Sequence, residues 1–215
     1  MRGRFARLAP LSGLLFVVLV VIAFFAFPSS PNVGASAVKA VSFFAAHRRS
    51  QLAIAFFVWY AMLFAVIFGA VLRSYLRSRG GSGLPADLGF AGMVFFAVAF
   101  SVAAAFLYAA ADVATKISPD AEQALNVLQN DIFPVFLVGI AILMFGNGLA
   151  IVRSRAKPLP TWLGWAALVI ALVAVVPFIS FFALFAFLIW MVIVSVLIFM
   201  REGKAGPVAA PAASA

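Results

Sequence analysis

The chain has 215 residues, of which 67% are hydrophobic and 10% are charged, with a net charge of +9 and no cysteine. Ordinary soluble domains are about 45–50% apolar and about 25% charged. A soluble fold of this size buries only about 70% of the surface that its chain exposes. The composition therefore excludes a soluble enzyme, a nucleic-acid-binding domain and a disordered chain, and it leaves an integral membrane protein. The absence of cysteine excludes disulfides and thiolate metal sites.

Apolar, uncharged runs predict the membrane spans, since a helix needs about 17–25 such residues to cross a bilayer. Four runs qualify, at residues 11–27, 52–72, 88–111 and 132–152. A fifth stretch, residues 160–200, has 41 uncharged residues and as one helix would be about 61 Å long, twice the membrane thickness. Because Pro177 is the strongest helix breaker inside it, we expect two spans at about 161–176 and 180–200. A re-entrant pair is the alternative.

The distribution of basic residues predicts the orientation, because cytoplasmic loops are enriched in Lys and Arg. With both termini inside, the inside segments hold Arg2, Arg4, Arg7, Arg73, Arg77, Arg79, Arg153, Arg155, Lys157, Arg201 and Lys204. The outside segments hold Lys39, Arg48, Arg49 and Lys116. This 11-to-4 split favours six spans with the N- and C-termini in the cytoplasm. We expect one membrane domain over residues 1–201 in the bacterial cytoplasmic (inner) membrane.

The segments outside the spans predict two short helices. Residues 35–49 are apolar and basic, and they could lie along the membrane surface as a helix. In the second outer loop, Ser118 followed by Pro119 and two acids is typical of a helix start. The apolar face of that amphipathic helix, which leads into span four, would consist of Ala121, Leu125 and Leu128.

Three other segments have distinctive compositions. Residues 78–83 predict a flexible linker, and residues 202–215 predict a disordered cytoplasmic tail. The basic N-terminus followed by an apolar run also suggests a cleavable signal with its site at residues 35–37. The apolar run is longer than a usual signal core, so an anchored first helix is the preferred interpretation.

Four polar residues inside the spans could line a path. Tyr60, Ser101 and Tyr108 could form a vestibule open to the outside, and Asn147 lies between two glycines where backbone could face a ligand. The alternative is helix packing with single hydrogen bonds and an interfacial tyrosine. A row of small residues on span three also predicts close helix packing and consists of Ala97, Ser101, Ala105 and Ala109. Because no charge lies near a span centre, we expect neither proton coupling nor strong ion selectivity.

A second candidate group is a charge cluster at the outer face. His47, Arg48 and Arg49 close the first outer loop, while Asp112 and Asp131 lie at the ends of spans three and four. Their opposite charges predict that the two outer loops pair, with a contact between Arg48 and Asp131. His47 has two functional interpretations, a pH-sensitive group or one metal ligand. The structural interpretation is an interfacial residue beside two arginines. A single histidine without cysteine completes neither a usual zinc site nor a haem ligand pair, so no catalytic, cofactor or metal site is predicted.

Several short motifs resemble those of a known family. An arginine-rich start, a first span that ends at Pro28, an outer loop closing in His47-Arg48, and a Trp162-Leu163-Gly164-Trp165 entry to span five resemble a bacterial family of six-span membrane proteins without an assigned activity. The resemblance covers most of residues 4–201 and implies no catalytic residue.

The predicted fold class is therefore all-α, a polytopic transmembrane bundle of six spans. The expected role is non-enzymatic, without a cofactor, and the alternative is a small channel or transporter for a neutral or lipid-like solute. The expected partner is the lipid bilayer rather than nucleic acid, and a homo-oligomer or a membrane-protein partner stays open.

Overall fold

The computed structural model describes residues 8–79 and 83–204, and in this part the chain is all-α, 84% helical and without strands. After a 3-10 turn at Ala9–Leu11, the helices are α1 (Ser12–Phe25), α2 (Ala37–Ala46), α3 (Arg48–Ser78), α4 (Gly83–Val113), α5 (Pro119–Asp131), α6 (Phe133–Val152), α7 (Thr161–Val175) and α8 (Ser180–Lys204). Arg2, Arg4 and Arg7, linker residues 80–82 and tail residues 205–215 lie outside the described residues. The tail was predicted to begin at residue 202, but α8 continues to Lys204.

Four helical segments are long and apolar enough to cross a membrane, namely α3, α4, the consecutive helices α5 and α6 together, and α8. Among the described residues, three further apolar helices are shorter, with 17 residues at Ala9–Phe25, 10 in α2 and 15 in α7. At about 1.5 Å per residue, the first and the last of these are about 25 and 22 Å long. Helix α7 ends just before Pro177, and Phe178 has a positive φ of 69° in the turn that leads into α8. The chain therefore reverses at the proline that breaks the long apolar stretch.

Helices α4 and α6 form the central pair, and glycines allow their backbones to touch. A Cβ atom on Gly92 of α4 would lie 2.2 Å from the backbone nitrogen of Leu143, and one on Gly146 of α6 would lie 2.3 Å from that of Gly89. This contact differs from the predicted row of small residues, of which Ala97 is buried but Ala105 is exposed. The glycines, rather than this row, therefore set the crossing of α4 and α6.

Both predicted short helices form at one end of the bundle, where α2 and α5 pack against each other. As expected, Ser118 caps α5, and its hydroxyl oxygen accepts a hydrogen bond from the Ala121 amide at 3.3 Å. The buried face of α5, however, is polar and contains Glu122 and Asn126, whereas Leu128 is 48% exposed. We call this end of the molecule the α2–α5 end.

Candidate functional site

Three of the four residues predicted to line a path lie along the seam between α3 and α4. Tyr60 is 56% exposed. The Tyr108 ring packs with its centroid 5.6 Å from that of Trp59. The backbone oxygen of Ser101 accepts a hydrogen bond from the indole nitrogen of Trp59 at 3.1 Å. None of the three lines the cavity described below.

Asn147 lies elsewhere, at the crossing of α4 and α6. Its side-chain nitrogen donates to the Leu143 carbonyl of the same helix at 3.0 Å, and the side chain is 4% exposed. A Cβ atom on Gly89 would lie 2.7 Å from the Asn147 amide carbon, so this amide fills the space above a glycine. The structure therefore does not bring Asn147 together with Tyr60, Ser101 and Tyr108.

The predicted charge cluster is split at the α2–α5 end. Arg48 forms an ion pair with Asp112, rather than with Asp131 as expected, and the Lys116 amine lies 3.7 Å from the other Asp112 oxygen. The hydrogen bond from Arg48 lowers the pKa of Asp112. Among the described residues, Arg49 and Asp131 make no ion pair. Asp112 is the nearer partner because it ends α4, which packs directly beside α3.

His47 takes part in local structure. Its Nδ1 atom lies 3.0 Å from the Phe43 carbonyl oxygen, and its ring stacks on the Phe43 ring with centroids 4.5 Å apart. Within residues 8–79 and 83–204, no three His, Asp or Glu side chains group together as metal ligands would. His47 thus ends α2 and joins it to α3.

At the opposite end of the bundle, one acid is shared by two arginines. The Asp87 carboxylate lies 2.6 Å from Arg73 and 2.9 Å from Arg77, and the hydrogen bond from Arg73 lowers its pKa. Nearby, the Pro158 carbonyl oxygen accepts hydrogen bonds from the Tyr75 hydroxyl and the Arg201 guanidinium. These contacts hold the α6–α7 connection against α3 and α8.

Side-chain amides, rather than charges, hold the first loop in place at the α2–α5 end. We call the four amides that bond to its backbone the amide clamp. In each case the side-chain nitrogen donates a hydrogen bond to a backbone carbonyl oxygen of the loop. The pairs are Gln51 with Pro28 at 2.8 Å, Gln123 with Ala35 at 3.0 Å, Asn126 with Asn32 at 3.2 Å and Asn130 with Pro31 at 3.3 Å. The expected pairing of the two outer loops therefore occurs, through the Arg48–Asp112 ion pair and through these hydrogen bonds to backbone.

Glu122 lies on the same helix as three of these amides and is 0% exposed. Neither of its carboxylate oxygens has a hydrogen-bond partner among the described residues. Burial raises its pKa to about 7, because the charged form loses its hydration without gaining a partner. The spacing of Glu122, Asn126 and Gln129, at steps of four and three, is the sequence signal that could have identified this polar face.

A cavity of about 370 Å³ lies at the α2–α5 end, between the end of α1, the start of α3, the last third of α4, and the first turns of α6 and α8. Its volume is within the range of about 300–1,000 Å³ that is usual for small-molecule sites. The walls are largely apolar and include Phe24, Phe100, Phe136 and Phe181. The polar residues of the lining are Ser29, Ser30, Gln51, Gln129 and Asn130.

Among the described residues that line the cavity, none is charged and none is a histidine. The chemistry of the lining therefore suits a molecule with an apolar body and an uncharged polar end.

Comparison of the chain with family models, curated proteins and solved structures finds no match.

Proposed function

We propose that this protein is a non-catalytic integral membrane protein that binds a lipid-like molecule with an uncharged polar end. The cavity at the α2–α5 end carries this proposal. Its aromatic and aliphatic walls would take an alkyl or isoprenoid chain, and its amides and hydroxyls would face the polar end.

A non-catalytic role is supported by the side chains that line the cavity. The two hydroxyls, Ser29 and Ser30, have no histidine, lysine or carboxylate beside them in the lining. An activated nucleophile needs such a base. Binding is favoured over conduction, because Asn147 lies at the crossing of α4 and α6, away from Tyr60 and Ser101 at the seam between α3 and α4.

We further propose six spans, with both termini in the cytoplasm of a bacterial cell and the protein in its inner membrane. The short helices α1 and α7 pack alongside the long ones, α1 against α3 and α7 against α6. Basic residues dominate the end that holds Asp87 and Pro158, as the positive-inside rule requires for the cytoplasmic face. The cavity would then open in the outer half of the membrane.

Filling the cavity tests the binding proposal. Ala104 is 3% exposed and lines the cavity, whereas its neighbour Ala105 points out of the bundle. The protein in nanodiscs is labelled with a diazirine-bearing dodecane, and the labelled peptides are identified by mass spectrometry. Ala104→Phe should lower the labelling of Leu184, a cavity-lining residue at the start of α8 that is 7% exposed, and Ala105→Phe should leave it unchanged.

Equal labelling of both variants and the wild type would contradict the proposal. If Ala104→Phe does not yield a monodisperse protein, Ala103→Phe replaces it, because Ala103 also lines the cavity and is only half-buried.

A further inference from the structure

We infer that the ligand is a lipid alcohol, whose hydroxyl donates a hydrogen bond to the amide oxygens of the cavity. This inference rests on the proposed function and names its ligand class. It follows from the orientation of three amides in the lining, those of Gln51, Gln129 and Asn130.

Two of these orientations are fixed by backbone carbonyl groups, which can only accept hydrogen bonds. The amide of Gln51 must turn its nitrogen toward the Pro28 oxygen, 2.8 Å away. The amide of Asn130 must turn its nitrogen toward the oxygens of Pro31 and Asn126, 3.3 and 2.7 Å away. In both side chains the amide oxygen is left as an acceptor, with no donor bonded to it among the described residues.

The third orientation follows from a chain of two bonds. Asn126 donates its side-chain nitrogen to the Asn32 carbonyl oxygen at 3.2 Å, so its own amide oxygen must accept. Gln129 bonds to that oxygen at 3.0 Å and must therefore donate through its nitrogen. The amide oxygen of Gln129 is again left as an acceptor.

Among the described residues, the polar part of the lining thus offers three amide oxygens that lack a donor and two serine hydroxyls that can donate or accept, without a cation or an anion. A carboxylate or a phosphodiester could accept from the serines, but it would leave the amide oxygens without a donor and its own charge without a counter-charge. An ammonium head would be desolvated without an anion. An alcohol is uncharged, and it can both donate to the amide oxygens and accept from the serine hydroxyls.

Equilibrium binding of tritiated 1-dodecanol and tritiated dodecanoate to the protein in nanodiscs tests this inference, with tritiated dodecane as the chain-only reference. Partition into protein-free nanodiscs is subtracted. Dodecanol should bind at least about tenfold more tightly than dodecanoate, as expected from one hydrogen bond gained and one anion without a partner. Gln129→Lys places a cation in the lining and should reverse the preference.

The matched control is Gln123→Lys, which adds the same charge to the same helix at an amide that does not line the cavity. It should leave the ratio of dodecanol to dodecanoate affinity unchanged. Dodecanoate binding as tightly as dodecanol to the wild type would overturn the inference while the binding function stands. If none of the three probes binds more tightly to the wild type than to Ala104→Phe, the proposed function fails, and the inference fails with it.

Discussion

Replacing the buried acid Glu122 by glutamine should stabilise the protein at neutral and alkaline pH. In the wild type, burial holds the pKa of this carboxyl at about 7, compared with 4.5 for the free side chain. The folded protein therefore binds the proton more tightly than the unfolded chain does. Stability must then fall as the pH rises from about 4.5 to about 7, and it stays at the lower level above that range.

The size of the effect follows from the two pKa values. A difference between 4.5 and about 7 corresponds to about 3 kcal/mol, at about 1.4 kcal/mol for each pKa unit. Glu122→Gln keeps the shape of the side chain and removes the charge. The variant should match the wild type at pH 4.5 and exceed its free energy of unfolding by up to about 3 kcal/mol at pH 8.

Hydrogen exchange of the α5 backbone amides in nanodiscs measures this difference. Wild type and variant are compared at each pH, so that the intrinsic pH dependence of exchange cancels. Asp120→Asn is the matched control, because it removes one acidic charge from an exposed position of the same helix. A gain in protection for Glu122→Gln that is the same at pH 4.5 and pH 8 would refute the assignment of an unpaired buried carboxyl.

Two further predictions concern the ion pair and the topology. In double-mutant cycles read by thermal unfolding, Arg48 should couple to Asp112 and show no coupling to Asp131; the reverse result would contradict the pairing. A cysteine at Ala156 should be inaccessible to an impermeant thiol reagent in intact cells, whereas one at Phe178 should be labelled. Labelling of Ala156→Cys would mean that the orientation is the reverse of the proposed one. The absence of labelling at Phe178→Cys would favour a re-entrant α7–α8 pair.

The helical architecture could be predicted because it depends on quantities that the sequence displays directly. Apolar length sets where a chain can cross a bilayer, and Pro177 sets where the last long apolar stretch must reverse. The crossing of α4 and α6 was harder to predict from the sequence. Gly92 and Gly146 look like ordinary glycines in apolar runs, and only the distance to the facing backbone shows that neither can carry a Cβ atom.

The candidate site was largely missed, because its polar residues act on backbone far away in the chain. Gln51 and Pro28 are 23 positions apart, and Asn130 and Pro31 are 99 apart. A sequence suggests pairs of oppositely charged residues, such as Arg48 and Asp131, more readily than it suggests pairs of amides and carbonyl groups. A carbonyl group is present at every residue, so the sequence contains no signal for the ones that a particular amide will reach.

The orientation of α5 follows from the surroundings that the proposed topology gives it. In water, Leu128 would turn toward the protein and the acids would turn outward. At a membrane surface an apolar side chain can face lipid instead, and Leu128 is 48% exposed. Leu125 packs against the buried cluster around Phe44 and Leu107, and the inward face of the helix also carries Asn126 and Gln129, which bond to the loop and to each other. The same rotation buries Glu122, so the buried acid and the acceptors of the cavity are two consequences of one helix orientation.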